Sequence, residues 1–348
     1  MSTASETVTR RAPSALVGAR LPKFAPLVVA AIAIVLGIGA KLGLGWSGWY
    51  TTFFTVVLLY IAVLSAWSFS VEGRRRAKDR VMGTVIQACF VAALIPLALI
   101  LVYIAQRGIP GLGALFNGDS ELGSLLGGAV IGTLEQVAFA AVIALPLGIF
   151  TSIYLVEYGK GAFAKAVTFF VDVMTGIPSI VAGLFVYTFL LLGFGARPFG
   201  FAGSIALAIL MLPVVVRSSE EMLRLVPRDL RDASYALGVP KWRTIIKIVL
   251  PTAMSGLITS ALLAVARVAG ETAPLILLVG YASKVNTNPF SGDQATLPMM
   301  IWDLLGKRTG NPGVVDWAWA GALVLILLVL LLNIVARLLA RLAQPKSK

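Results

Sequence analysis

Histidine is absent from the 348 residues and cysteine occurs once, at Cys89. These shortages exclude a histidine- or cysteine-ligated metal centre, a haem held by an axial histidine, an internal disulfide and a Cys/His nucleophilic pair. Charge is scarce as well. Only 13% of residues are Asp, Glu, Lys or Arg, against roughly 25% in an ordinary soluble domain. No G-x-x-x-x-G-K-[ST] sequence occurs, so the chain lacks the backbone cradle and lysine with which P-loop proteins hold the phosphates of ATP.

What the chain has instead is apolar surface: 58% of residues are hydrophobic and the mean hydropathy is +0.91. A helix crosses a hydrocarbon core about 30 Å thick with about 20 mainly apolar residues. Eight stretches meet that need, at 24–44, 50–70, 82–105, 127–156, 166–194, 203–217, 251–280 and 314–336. The sixth is short. The fourth, fifth and seventh are long, which points to tilt, interfacial extension or breaks at Pro146, Gly176-Ile177-Pro178 and Gly270. The first is too long for the apolar core of a signal peptide and a second follows at once, so the N-terminus is expected to be retained. The expected fold is an all-α membrane protein of about eight transmembrane helices.

The net charge of +13 suggests nucleic acid until the basic residues are placed. With residue 1 in the cytoplasm, 22 of the 29 Lys and Arg fall in inner segments, at 1–23, 71–81, 157–165, 217–250 and 337–348. Outer segments hold Lys41, Arg107, Arg197, Lys284, Lys307 and Arg308, and Arg267 alone lies within a span. This asymmetry is the positive-inside pattern, so both termini are expected in the cytoplasm and a nucleic-acid partner is set aside. Trp46, Trp49 and Tyr50, and again Trp302, Trp317 and Trp319, stand where interfacial aromatic belts belong. Residues 1–23 read as a disordered cytoplasmic tail and 341–348 as a second tail. Residues 24–81 read as a two-helix hairpin with a basic loop, Arg74-Arg75-Arg76, as the domain boundary.

The segment 217–250 is the one sizeable inner loop, and its pattern predicts two short helices. Pro227 and Pro240 suit helix starts, and Gly238 suits the left-handed residue that ends the first helix. Leu230, Ala233, Ser234 and Leu237 recur at helical spacing as a narrow stripe of apolar and small residues, with Arg228, Arg231 and Asp232 facing elsewhere. A basic loop lying on anionic lipid is the plain alternative.

Asp232-Ala233-Ser234, then Gly238, Ile248 and Leu250-Pro251, resembles the cytoplasmic "EAA" loop of ABC importer permeases in residue types and full spacing. Asp232 replaces Glu and Ser234 replaces the second Ala, which preserves charge sign and small size. The segments IYLVEYG (153–159), GIPSIVAGLF (176–185), EEMLRLVPRDLRDASYALGVPKW (220–242), ARVAGETAPLILLVG (266–280) and LPMMIWDLL (297–305) narrow the resemblance to the PstA-type permease subunits of phosphate importers. It covers about residues 82–340.

The resemblance implies a six-helix permease domain over 82–340, preceded by the extra hairpin, in a bacterial plasma membrane. It implies a transporter subunit rather than an enzyme, moving inorganic phosphate as a heterodimer with a PstC-type permease. PstB-type ATPase subunits would carry ATP and Mg, leaving no cofactor in this chain, and a PstS-type binding protein would deliver phosphate to the outer segments 106–126 and 281–313. The first helix of the 217–250 loop would dock on the ATPase.

Arg267 lies 16 residues beyond Pro251, about 24 Å along a helix and thus at membrane depth, where a charge is costly and by default functional. Its planar fork of donors suits a phosphate or sulfate oxyanion. Glu271 stands at i+4, and Thr272 follows it. These three are candidates for the anion pathway, the alternative being an Arg–Glu pair that only orders packing. Arg217 and Glu220, at the end of the sixth span, and Ser179, after the Pro178 break, are further candidates. Arg217 has a plain reading as an interfacial anchor, Glu135 as a packing hydrogen-bond partner and Asp172 as an interfacial residue. Permeases for sulfate or molybdate, a secondary transporter and a membrane enzyme remain as alternatives. The absence of a visible inverted repeat and the poor inventory of catalytic groups weigh against the last two.

Overall fold

The computed structural model describes residues 21–22, 24–45, 48–116, 120–280, 282, 285–306 and 312–342. Nearly all of the expected tail 1–23, and 343–348 of the C-terminal tail, lie outside the described residues. Among those described the chain is helical, with no strand. It divides into two compact units, at Leu101 and Val102.

In the first unit α1 (Ala25–Leu44) and α2 (Trp49–Glu72) pack against each other. Ala25, Val29 and Ala33 form a fully buried row at four-residue spacing, and Gly37 continues it. A Cβ on Gly37 would come within 2.3 Å of Val56 Cγ2, so the row is small because the helices touch along it. The 71–81 segment corrects the sequence reading: it is not a loop. Only Gly73, at φ +85°, interrupts the backbone before α3 (Arg74–Phe116) begins. The run from Arg74 to Val81 consists mostly of good helix formers, and Arg80 turns back onto Glu72. That carboxylate, 3% exposed, accepts from Arg80 Nε and Nη2, Ser68 Oγ and the Leu21 amide at 2.7 to 2.9 Å.

The second unit is built on α4 (Ser120–Ile153) and α7 (Gly200–Arg224), its most extensively packed pair. Gly132, Gln136, Ala140, Ala144, Gly148 and Ser152 recur every four residues along α4, and all are buried. Apart from Gln136, a large and fully buried side chain, the row is small, which lets two backbones approach closely. Ala202, Ala206, Leu207, Met211 and Val215 of α7 fill the core beside it. At the same row's end, a Cβ on Gly132 would sit 2.0 Å from the Ala295 carbonyl oxygen. Gly132→Ala is therefore expected to cost about 1 to 3 kcal/mol by overpacking. Gly127→Ala, whose Cβ meets nothing within 4 Å, should change little. Equal unfolding midpoints for the two in detergent would contradict this approach.

Among the described residues seven helices are long and apolar enough to cross a membrane, and a bent pair makes an eighth candidate span. That pair is α5 (Gly161–Gly176) with α6 (Ser179–Val186) and the π-helical turn 187–192 that extends it, bent by 107° at the expected break. Gly270 also ends a helix as expected, whereas α4 continues through Pro146. The sixth span is longer than the sequence suggested. Arg217, Glu220 and Arg224 pair with one another's charges, so α7 runs on through residues that hydropathy assigns to a loop.

Beyond α7 come α8 (Arg228–Ala236), α9 (Lys241–Thr244) with a π turn at 245–249, and α10 (Leu250–Ala269). α11 (Leu275–Leu278), α12 (Leu297–Gly306) and α13 (Pro312–Leu342) complete the chain. Of the expected outer segment 106–126, residues 106–116 continue α3 and 120–126 open α4.

Candidate functional site

Two groups of candidate residues sit on different parts of the second unit. The first is the connection between α7 and α10. Pro227 and Pro240 each stand just before a helix, where fixed φ and a missing amide cost nothing. Gly238, at φ +75°, ends α8 with its amide donating to the Tyr235 carbonyl at 2.9 Å, the left-handed helix end its position predicts. Ser234 Oγ and Thr244 Oγ1 share a buried hydrogen bond of 2.8 Å that staples α8 to α9. The π turn then feeds α10, where Val249 is fully buried with Leu223, Val226, Ala253 and Leu257. Ile248, Leu250 and Pro251 are half-buried around it.

The predicted stripe on α8 splits. Leu230, Asp232, Ala233 and Leu237 are exposed, while Ser234 is buried. The reason is the Thr244 hydroxyl, which gives Ser234 a partner on the inner side. Leu237 is 82% exposed, a large apolar side chain offered outward at the end of the helix. Arg231 does not face solvent either. Its side chain is 13% exposed, and it donates to Glu157 Oε1 from Nε (3.0 Å) and Nη2 (2.8 Å). Its other contacts are the Val226 carbonyl at 2.6 Å and the Leu223 carbonyl at 3.0 Å, at and just beyond the end of α7. Tyr235 lines a cleft together with Glu157 and Arg231. Burial, and then the nearby Glu157 carboxylate, push its phenol above the usual range.

The second group lies around α10 and the bent pair. Arg267 is in the last turn of α10, with its side chain exposed, and Glu271 is half-buried. The expected i+4 ion pair does not form. Gly270 stops the helix, so Glu271 and Thr272 lie on non-helical backbone, and the face-to-face geometry of i and i+4 is lost. Among the described residues no ion pair joins Arg267 to a carboxylate. The Thr272 carbonyl instead accepts from the Leu275 and Ile276 amides and starts α11.

Ser179, half-buried, opens α6 beside this segment: a Cβ on Gly183, one turn on, would be 2.7 Å from Pro274 Cα. The structure thus brings the GIPSIVAGLF and GETAP sequences together, though they are about ninety residues apart. Arg217 and Glu220 belong elsewhere. Arg217 pairs with Asp172 of α5 and with Glu220 at 2.8 Å, and Glu220, 6% exposed, also takes Arg224 at 2.5 Å. This charge cluster is internally satisfied. Asp172 is thus an ion-pair partner as well as an exposed residue, and Glu135 accepts from Gln294 Nε2 at 2.5 Å, the hydrogen-bond role expected of it.

The profile of the family described as "Binding-protein-dependent transport system inner membrane component" matches residues 144–348. Phosphate transport system permease protein PstA 1 of Mycobacterium tuberculosis is 46% identical over 283 residues, covering 79% of this chain and 91% of that protein. The chain belongs to the PstA permease family. The PstA protein of Yersinia pestis is 42% identical over 274 residues, covering 76% of this chain and 90% of its own. A chain of a bacterial alginate ABC transporter in complex with an alginate-bound periplasmic protein shares the fold with a TM-score of 0.56, at 15% identity. The match covers 78% of this chain and 97% of that one. This PstA-family permease is accordingly a multi-pass inner-membrane transport component and not itself an enzyme.

Sequence reasoning missed Glu157, Lys241 and Gln294. Glu157 lies 74 residues from Arg231, and no periodicity links positions that far apart. The one available signal was a carboxylate standing at the polar end of an apolar span. Gln294 joins Gln136 at 3.0 Å across 158 residues, equally beyond a local pattern.

Proposed function

We propose that this permease forms one half of the membrane channel of an ABC importer for inorganic phosphate. ATP, with Mg, is hydrolysed on separate PstB-type subunits, a PstC-type permease supplies the other half, and a PstS-type binding protein delivers phosphate from outside. The substrate assignment is supported by the PstA relatives, whose matches run nearly their full length. The observation that carries the coupling role is the state of α8: it is anchored inward by Arg231 and Ser234 while Leu230, Asp232, Ala233 and Leu237 stay exposed. An ATPase surface can take that outward face without dismantling anything. The connection from α8 to α9 then lies in the cytoplasm with both termini, as the basic residues predict.

In this reading Arg267, Glu271, Thr272 and Ser179 line the anion path, and the Arg217 and Glu220 cluster fixes the helices beside it. A guanidinium with no protein carboxylate on it keeps its charge for a passing oxyanion. Reconstitution with the second permease, the ATPase and the binding protein in liposomes tests the proposal. ATP-dependent accumulation of labelled phosphate is expected. Accumulation of sulfate or molybdate instead would overturn the substrate, and uptake without ATP would overturn the importer class.

A further inference from the structure

Both short helices of the α7 to α10 connection fasten to one residue. Glu157 sits in the π-helical turn 154–158 that ends α4, with its side chain 5% exposed. From α8, Arg231 holds its carboxylate with two nitrogens. From α9, Lys241 Nζ donates to its main-chain carbonyl and lies 4.7 Å from the centre of the Tyr158 ring. The Ser234 to Thr244 bond ties the two helices to each other, and Arg231 simultaneously holds the end of α7. α8 itself packs on α9 and the following π turn, and these side chains attach it to the turn that ends α4.

A buried ion pair is poor evidence of stability, since desolvation consumes much of the attraction, but it is strong evidence of a fixed arrangement. Removing one partner leaves a charge uncompensated in a dry place. Here the arrangement spans the helix that faces outward for docking and the helix that carries the small-residue row of the core. We infer that Glu157 is the positioning residue that transmits displacement of α8 to α4. This deepens the importer reading and rests on it: a push on α8 reaches α4 directly through the Arg231 to Glu157 link, while Lys241 holds α9 to the same residue.

The test uses the complete reconstituted importer. Glu157→Gln keeps size and one acceptor but removes the charge. Because Arg231 is left without its carboxylate, some loss of complex is expected, so the ratio is read on assembled complex, where ATP hydrolysis continues while phosphate moved per ATP falls at least about tenfold, the scale of one lost charge-assisted hydrogen bond. Glu157→Asp should recover part of that ratio. Arg231→Gln should match Glu157→Gln, and the double variant should be no worse than either, because they act as one unit. Amide exchange of residues 228–236 in the resting complex should rise with the same variants.

A purely structural residue would lower the amount of complex and leave phosphate per ATP unchanged. That result in Glu157→Gln and Arg231→Gln overturns the inference while the importer reading stands. Should Glu157→Ala fail to assemble, those two milder variants decide. If the unmodified complex moves no phosphate, the importer reading falls and this inference with it.

Discussion

Arg267→Gln is expected to cut ATP-dependent phosphate uptake roughly 10- to 100-fold, the worth of charge-assisted hydrogen bonds from a guanidinium to an oxyanion. Assembly should not suffer. The side chain is exposed at the last turn of α10 and, among the described residues, holds no carboxylate in an ion pair, so its removal strips no described carboxylate of a partner. This separates Arg267 from Arg217, where the same change would strip Asp172 of its partner, leave Glu220 with Arg224 alone and confuse folding with transport. Arg267→Lys should recover little, because a point charge on a flexible stem cannot present two parallel donors. Initial rates in complexes shown to be assembled are the measurement. Rates near the unmodified level would leave Arg267 with an interfacial anchoring role.

Gly238→Val should uncouple the permease from its ATPase. The position has φ +75°, and a Cβ there would meet nothing within 4 Å, so the penalty is entirely in the backbone. A left-handed conformation costs an L-residue about 1 to 2 kcal/mol, and more when the side chain is branched at Cβ. Relieving it shifts the turn that sets α8 against α9, strains the Ser234 to Thr244 bond, and re-aims Leu237. Asn at the same position tolerates positive φ and should retain most function. Co-purified ATPase and the phosphate-to-ATP ratio report the outcome. Full values for both in Gly238→Val would show that this turn does not position the docking face.

Much of the architecture was legible because it depends on local quantities. Apolar length marks the spans, a Gly-Ile-Pro sequence marks the bend, and proline and glycine at set offsets mark α8 and its end. Legibility failed wherever charges satisfy one another at a distance. Arg80 folding onto Glu72 turns an apparent loop into a helix, and the Arg217, Glu220 and Arg224 set carries α7 past its apolar stretch. Arg231 reads as a solvated helix face until Glu157 is found beneath it. The i+4 argument for Arg267 and Glu271 failed for the opposite reason. It assumed a continuous helix across Gly270, whose presence was itself the warning.

The row on α4 from Gly132 to Ser152 sets two selective pressures against each other. A Cβ at Gly148 would come within 2.6 Å of Val215 Cγ1, so any side chain there forces the helices apart. Yet Gly148→Leu would make α4 more apolar and so a better substrate for the insertion machinery, since a leucine at the centre of a span itself favours insertion by about 0.3 to 0.6 kcal/mol. A chain changed in this way would enter the bilayer more readily and assemble less well once there. Hydropathy rewards the change at the step of entry, and the penalty falls only when α4 meets α7, after the sequence has passed that checkpoint.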